Sequence, residues 1–228
     1  MENNEYWIKF WNNNEIINRK GIHEKVGRTI AGKPISNDEW HIVLKDIEQQ
    51  LELTSTDELL DIAAGSGAIA IPFSEKIKSV TAIDISKTLL TGMKEIKNII
   101  PIHADARTFE FKKEQFSKIV LYFALQHFYE KETIELFQKI HNWLKPNGIC
   151  LIGDIPDEER KFNFFNNLER QKTYFNSILN EEPIIGSWYT KDFIQKLGEF
   201  TGFKKSEIIK QPASYINAHY RFDIKLTK

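Results

Sequence analysis

Disulfide staples are missing from this chain, because its 228 residues contain one cysteine, Cys150. That count also excludes a multi-cysteine metal site, no metal is expected, and the apolar flanks of Cys150 place it in a core strand. No apolar run approaches the roughly 20 residues that a membrane-spanning helix needs. The start, Met1-Glu2-Asn3-Asn4-Glu5, lacks the basic and apolar regions of a signal peptide. An excess of one charge is missing too: 31 Lys and Arg against 32 Asp and Glu give a formal net charge of −1. There is then no global pull toward nucleic acid or an anionic membrane. These absences lead us to expect a cytoplasmic protein with neither partner, a monomer or homodimer. Abundant Asn, Ile, Lys and Phe fit an AT-rich bacterial genome. With no internal repeat, low-complexity tract or linker, residues 1–228 are expected to form one domain. What is present is ordinary for a globular chain, 41% hydrophobic and 28% charged, and long enough for a full core.

Residues 1–50 read as a helical N-terminal cover. Trp7, Phe10 and Trp11 stand at helical spacing, and Gly27–Pro34 reads as turns. Ser36 with Glu39 three positions later is a capping box for a helix reaching Leu51. From residue 51 onward apolar runs alternate with helical patterns. Strands are expected at 58–62, 79–84, 100–103, 117–123 and 149–153, and helices near 68–77, 87–98 and 131–144. Asn147-Gly148 suits a left-handed helix cap. A charged and aromatic helical stretch follows Pro156 to about Leu179. Thr190 caps a helix ending at Gly202, and runs 203–210 and 219–227 close the chain as strands. Alternation of this kind implies parallel pairing and a three-layer α/β sandwich.

The densest signal is Leu59-Leu60-Asp61-Ile62-Ala63-Ala64-Gly65-Ser66-Gly67-Ala68. An apolar strand ends in an acid and turns through small residues into a helix, and a second strand, Val80–Ile83, ends in Asp84. A tight turn brings backbone N–H groups to a ligand, and the second acid accepts hydrogen bonds from ribose hydroxyls, as in a nucleotide-type site. The turn begins with a carboxylate, which suits a cationic ligand better than a pyrophosphate.

From about Glu58 onward the chain resembles the class I S-adenosylmethionine-dependent methyltransferases of the small-molecule type. The resemblance rests on five motifs in order: Asp61-x-Ala63-x-Gly65-x-Gly67, Asp84-Ile85, Asp105-Ala106, Tyr122–Phe128, and Lys145-Pro146-Asn147-Gly148. It implies a doubly wound, mostly parallel seven-stranded sheet whose last strand is antiparallel, with S-adenosyl-L-methionine as cofactor. It further implies that Asp61 faces the cofactor's ammonium, Asp84 its ribose, Ile85 its adenine and Asp105 the adenine amino group. Ala63, Gly65, Gly67, Ala106 and Tyr122 complete the cofactor-binding set. Ala63 stands where the family has glycine, a substitution tolerated if that position does not need a positive φ.

On the acceptor side, His127 and Asp154 follow the carboxyl ends of two strands, where open α/β sheets build their sites. They are the candidate catalytic residues, with His127 as base and Asp154 either orienting it or acting itself. Candidate acceptor contacts are Tyr6, Trp11, Gln126, Arg160, Trp188 and Tyr189. Arg160 and Lys161, if turned inward, favour an acceptor bearing phosphate or carboxylate. The expected activity is methyl transfer to a small molecule, oxygen ahead of a small amine. No Asn-Pro-Pro-Tyr motif of amino-methylating nucleic-acid enzymes follows the fourth strand. A nicotinamide oxidoreductase predicts Gly-x-Gly-x-x-Gly in the first turn, which is not what stands there. A non-catalytic binding protein of the same fold remains the other alternative.

Overall fold

The computed structural model describes residues 3–12, 21–26, 29–30, 33–182 and 186–228. Seven strands form where the sequence supplies short apolar runs: β1 Glu58–Ile62, β2 Ser79–Asp84, β3 Ile99–His103, β4 Phe116–Tyr122, β5 Leu144–Pro156, β6 Lys205–Ile209 and β7 Arg221–Thr227. Their order across the sheet is β3-β2-β1-β4-β5-β7-β6. The first five are mutually parallel, and β7 runs antiparallel between β5 and β6. The sheet is therefore the doubly wound, mostly parallel one expected. In β4, Ile119, Val120 and Leu121 are all fully buried, because a parallel strand at mid-sheet is covered on both faces.

Helices supply the two covering layers. α1 spans Asn3–Trp11, α2 Asn37–Leu51, α3 Ala70–Ser74, α4 Glu130–Trp143, α5 Lys161–Phe164, α6 Leu168–Leu179 and α7 Lys191–Phe200. On one face, Phe137, Ile140 and Trp143 of α4 and Ile194 of α7 pack on β4, β5 and β7. On the other, Ile47 and Leu51 of α2 and Phe73 of α3 pack on β1, β2 and β4. The capping box is present: Ser36 Oγ accepts from the Glu39 N–H at 3.2 Å, and Glu39 Oε2 accepts from the Ser36 N–H at 2.8 Å. Thr190 Oγ1 likewise caps α7, accepting from the Phe193 N–H at 3.1 Å.

Two expected helices shrink. The segment 87–98 forms only a 3₁₀ turn, Leu89–Met93, since Thr88, Thr91 and Gly92 are poor helix formers. The three-residue turn also sets Leu90 and Met93 together against the core. The segment 68–77 is helical only over Ala70–Ser74, with Pro72 in the first turn, where its missing N–H is tolerated. Asn147 does adopt a left-handed φ of 61°, but inside β5 rather than as a helix cap. The turn reading of 27–34 falls partly outside the described residues; within it, Thr29–Ile30 pairs with Lys33–Pro34 as a two-residue ribbon. Among the described residues no helix is long and apolar enough to cross a membrane.

Candidate cofactor and acceptor site

β1 sends its connection to β2 on one side, and β4 lies on its other side, so the strand order reverses between β1 and β4. The loops leaving those strand ends diverge and leave a crevice. A cavity with about 760 Å³ of empty space, part of it open to solvent, occupies this place.

The first wall is the turn after β1. Ala63 has φ 56° and Gly65 φ 55°. The condition under which alanine was expected to be harmless at residue 63 is therefore not met, and its left-handed backbone costs about 1–2 kcal/mol. Gly65 is needed twice over, since a Cβ there would also stand 2.8 Å from Val26 Cγ1. Gly67 serves packing: with φ 84°, its missing Cβ would fall 2.7 Å from Met93 Sδ. The second wall is the end of β2. Asp84 is buried, its Oδ2 accepts from the Gly65 N–H at 2.8 Å, and its Oδ1 accepts from the Ser86 N–H at 2.7 Å. Burial raises its pKa, and the two N–H groups offset part of that rise. The third wall is the loop after β3. There the Asp105 carboxylate accepts from the Arg107 N–H at 2.9 Å and from Arg107 Nε at 2.9 and 3.0 Å.

α1 forms a roof. The Trp7 ring lies 4.0 Å from His127 and the Trp11 ring 5.7 Å from it, centre to centre. Ser86 Oγ sits 3.2 Å from both Trp11 O and Asn12 Oδ1, fastening the roof beside Asp84. Under this cover His127 is pushed down to a pKa of about 3, first by burial and then by the charges of Arg221 and Arg107. This burial works against the role of base that the sequence suggested for His127.

The structure thus brings Ala63, Gly65, Asp84, Ile85, Asp105, Ala106, Tyr122, Trp11 and His127 around one cavity. Asp61 is buried within β1 and, like Gly67, is not among the described lining residues. The side chain of Tyr6 lies outside the described residues. Asp154 turns away from the lining: Gln211 Nε2 donates to its Oδ1 at 3.2 Å and Asn217 Nδ2 to its Oδ2 at 3.3 Å. Gln126 stands behind the wall, its Nε2 donating to Phe123 O at 3.0 Å. Arg160 faces Asp157 Oδ2 at 3.4 Å. Tyr189 is locked against α4, 2.8 Å from Thr133 Oγ1, with its hydroxyl donating to Phe128 O at 2.5 Å. Trp188 joins an aromatic group with Phe164, Phe165 and Tyr220 outside the cavity. Three residues near the acceptor end went unnoticed in the sequence: Arg107, Phe123 and Arg221. Arg107, two places after Asp105, and Phe123, within Tyr122–Phe128, stood at motifs; Arg221 stood near none.

Residues 59–148 match a family model described as a methyltransferase domain. Over 137 residues the chain is 31% identical to the phosphoethanolamine N-methyltransferase of Plasmodium falciparum (isolate 3D7), covering 57% of this chain and 52% of that enzyme. Residues 59–148 thus carry a methyltransferase domain, consistent with the resemblance to the class I S-adenosylmethionine-dependent methyltransferases. Solved methyltransferases share the fold. Haemonchus contortus phosphoethanolamine N-methyltransferase 1, in complex with phosphoethanolamine and S-adenosylhomocysteine, superposes with a TM-score of 0.72 at 13% identity, over 99% of this chain and 49% of that one. Magnesium protoporphyrin IX methyltransferase (ChlM) from Synechocystis PCC 6803, with bound SAH, gives 0.66 at 11% identity over 100% of both chains. The chain spans about half the length of the malarial relative.

The residues present fit the family's cofactor. A carboxylate has about four lone-pair sites, and the backbone bonds to Asp84 use two of them. One acceptor position per oxygen remains, which matches a vicinal pair of hydroxyls. Ile85, Leu89 and Ala106 offer the apolar walls that a purine needs.

Proposed function

We propose that this chain, acting as one domain under its N-terminal cover, transfers the methyl group of S-adenosylmethionine to a small molecule, and that the acceptor atom is an amine nitrogen. In this reading Asp84 binds the ribose, Ile85 and Ala106 flank the adenine, and the loop from Ala63 to Gly65 receives the amino-acid end. The bound cofactor supplies an electrophilic methyl on a sulfonium. The protein's part is to align the acceptor and exclude water. Trp7, Trp11 and Phe128 do this at the roofed end, and aromatic faces there also favour a cationic neighbour.

One observation carries the choice of nitrogen. A hydroxyl acceptor gains from a base that titrates near the working pH, whereas His127 is held near 3 and Asp154 is engaged elsewhere. An amine needs only to arrive deprotonated, so proximity suffices. The amine acceptor named for the malarial relative agrees with this reading. The enclosure beneath α1 supports a small acceptor over a nucleic acid.

The test is methyl transfer from labelled S-adenosylmethionine to matched pairs of small amines and alcohols, with RNA and DNA as controls. Turnover of amines is expected. Turnover of alcohols alone would return the reading to oxygen. S-adenosylhomocysteine binding without turnover of any acceptor would favour a non-catalytic binder.

A further inference from the structure

Buried and half-buried cations in this molecule are unequally neutralised. Arg107 has Asp105 at 2.9 Å and Glu132 at 3.7 Å. Lys191 has Asp157 at 2.5 Å and Glu159 at 3.3 Å. Arg221, at the start of β7, is different. Its side chain is 2% exposed and its nearest carboxylate oxygen, Asp154 Oδ2, is 3.6 Å away. Charge-assisted bonds normally close to about 2.7–2.9 Å. That carboxylate is also shared with Gln211 and Asn217. Arg221 Nη1 donates to Asp154 O and, at 3.4 Å, to Gln126 Oε1. Its Nε has no hydrogen-bond partner among the described residues. Asp223, the other acid nearby, spends Oδ1 on the Asp154 N–H and on Gln211. A buried donor left unmade costs about 1–3 kcal/mol, which is a reason to look for the group that would complete it.

We propose that Arg221 receives an oxyanion of the acceptor, so that the substrate is a small amine which also carries a phosphate or carboxylate. This rests on the amine reading above and adds its second handle. The placement is suitable. The Arg221 guanidinium lies 4.6 Å from the centre of the Phe123 ring, and Phe123 lines the cavity. The anion end therefore lies across Phe123 from the cofactor loops. The charge of Arg221 is felt at His127, on the cavity side. More donors stand beyond it. Tyr220 is 5.2 Å from the guanidinium, and the Trp188 ring is 6.1 Å from that of Tyr220. Among the described residues Trp188 Nε1 is buried without a hydrogen-bond partner; the Lys161 ammonium, 5.8 Å from the Trp188 ring, already donates to Glu158 Oε1 at 2.5 Å and to the Tyr174 hydroxyl at 3.1 Å. Because Arg221 is so little exposed, the ring of Tyr220 or the α5–α6 segment must yield as the anion enters.

A purely structural Arg221, sandwiched between Phe123 and Tyr220, makes a different prediction, and calorimetry separates the two. Wild-type protein loaded with S-adenosylhomocysteine is titrated with ethanolamine, its phosphate monoester and β-alanine. At least one of the two anionic amines should bind about tenfold or more tightly than ethanolamine, the scale of one charge-assisted contact. Which of the two it is identifies the oxyanion. Arg221→Met should abolish that preference while leaving S-adenosylhomocysteine affinity unchanged. Should Arg221→Met not fold, Arg221→Lys keeps the charge but removes the planar fork, and should reduce the preference by about threefold or more. Equal affinity for all three compounds, no binding of any, or a preference that survives substitution overturns the proposal. Failure to bind S-adenosylhomocysteine at all would instead overturn the methyltransferase reading beneath it.

Discussion

Replacing Asp84 by Asn tests the cofactor assignment with little change of shape. Both carboxylate oxygens are engaged by backbone, Oδ2 with Gly65 N–H at 2.8 Å and Oδ1 with Ser86 N–H at 2.7 Å. Each keeps one lone-pair site for a ribose hydroxyl. An amide retains one oxygen and turns the other into a donor. Whichever way it is placed, one backbone N–H then faces an NH₂ and one ribose hydroxyl loses its acceptor. Losing a single charge-assisted bond should weaken binding by about 1.5–3 kcal/mol, or roughly ten- to a hundredfold in Kd. The fold should suffer less. Burial has already raised the pKa of Asp84, so the charged form is disfavoured in the folded protein, and losing that charge offsets part of the lost hydrogen bonding. Calorimetric titration with S-adenosylhomocysteine gives the affinity, and circular dichroism during heating confirms that the variant is folded. A folded Asp84→Asn variant that binds within about threefold of wild type would refute the assignment of the site.

Four further outcomes follow from the same geometry. His127→Gln should lower kcat by less than about tenfold, because a positioned base is typically worth about 10²–10⁴; a larger loss, recovered at high pH, would restore His127 as base and a hydroxyl as acceptor. Asp223 is raised to about 7 by burial, so the folded state holds its proton longer than the unfolded chain does, and its contribution to stability is lost as pH rises from about 4 to 7. Asp223→Asn should therefore gain stability relative to wild type at pH 8 compared with pH 5, read by denaturant unfolding, with an unchanged difference counting against the burial argument. Ala63→Gly removes the strain at φ 56° but adds unfolded-state freedom, so it should change stability by between roughly 0 and +1 kcal/mol; Ala63→Val, with a β-branched side chain at that φ, should be clearly destabilising in the same assay. Hydrogen exchange of α1 should slow on addition of S-adenosylhomocysteine if the helix is a closing cover, and equal rates would make it a fixed packing element.

Much of the architecture was legible because it is local. β1 and β2 begin and end where their apolar runs do, and Ser36 and Thr190 announce their helices through side-chain caps. Part of the cavity lining was legible for the same reason, since Ala63–Gly65, Asp84–Ile85 and Asp105–Ala106 are short segments at strand ends, although Asp61 and Gly67, also named from the sequence, are not among its described lining residues. The acceptor half was not. Asp154 was expected to turn toward His127, yet its partners Gln211, Asn217 and Arg221 come from a segment 57 to 67 residues further on. That pairing is set by β7 inserting beside β5, which nothing around Asp154 signals. The depressed pKa of His127 is likewise tertiary, arising from burial and from two arginines contributed by distant parts of the chain. The helix expected over 87–98 failed because its apolar residues suit both a three- and a four-residue turn, and packing chose the former.

The backbone itself separates the two halves of the site. Ala63 and Phe123, each just past the carboxyl end of its strand, and Asp154, at the irregularity between Ile152 and Ile155 of β5, all lie in the left-handed region, with φ of 56°, 61° and 57°. Such residues cost of order 1–3 kcal/mol each and persist only where their surroundings over-determine them. The surroundings are present. The Ala64 N–H donates to Ile83 O at 3.1 Å, the Phe123 N–H to Gly153 O at 3.0 Å, and the Asp154 N–H to Asp223 Oδ1 at 2.7 Å. Glycine would adopt these angles without strain, so the retained side chains call for a reason. At residue 63 a methyl group on the cavity wall is little to retain, consistent with backbone-driven recognition of the cofactor. At residues 123 and 154 the side chains do specific things: the Phe123 ring lies over the Arg221 guanidinium, and the Asp154 carboxylate is that cation's nearest acid among the described residues. Two strained residues thus converge on one under-neutralised arginine. An anion would complete the charge compensation that Asp154 leaves partial, which a merely structural cation–π sandwich would not need.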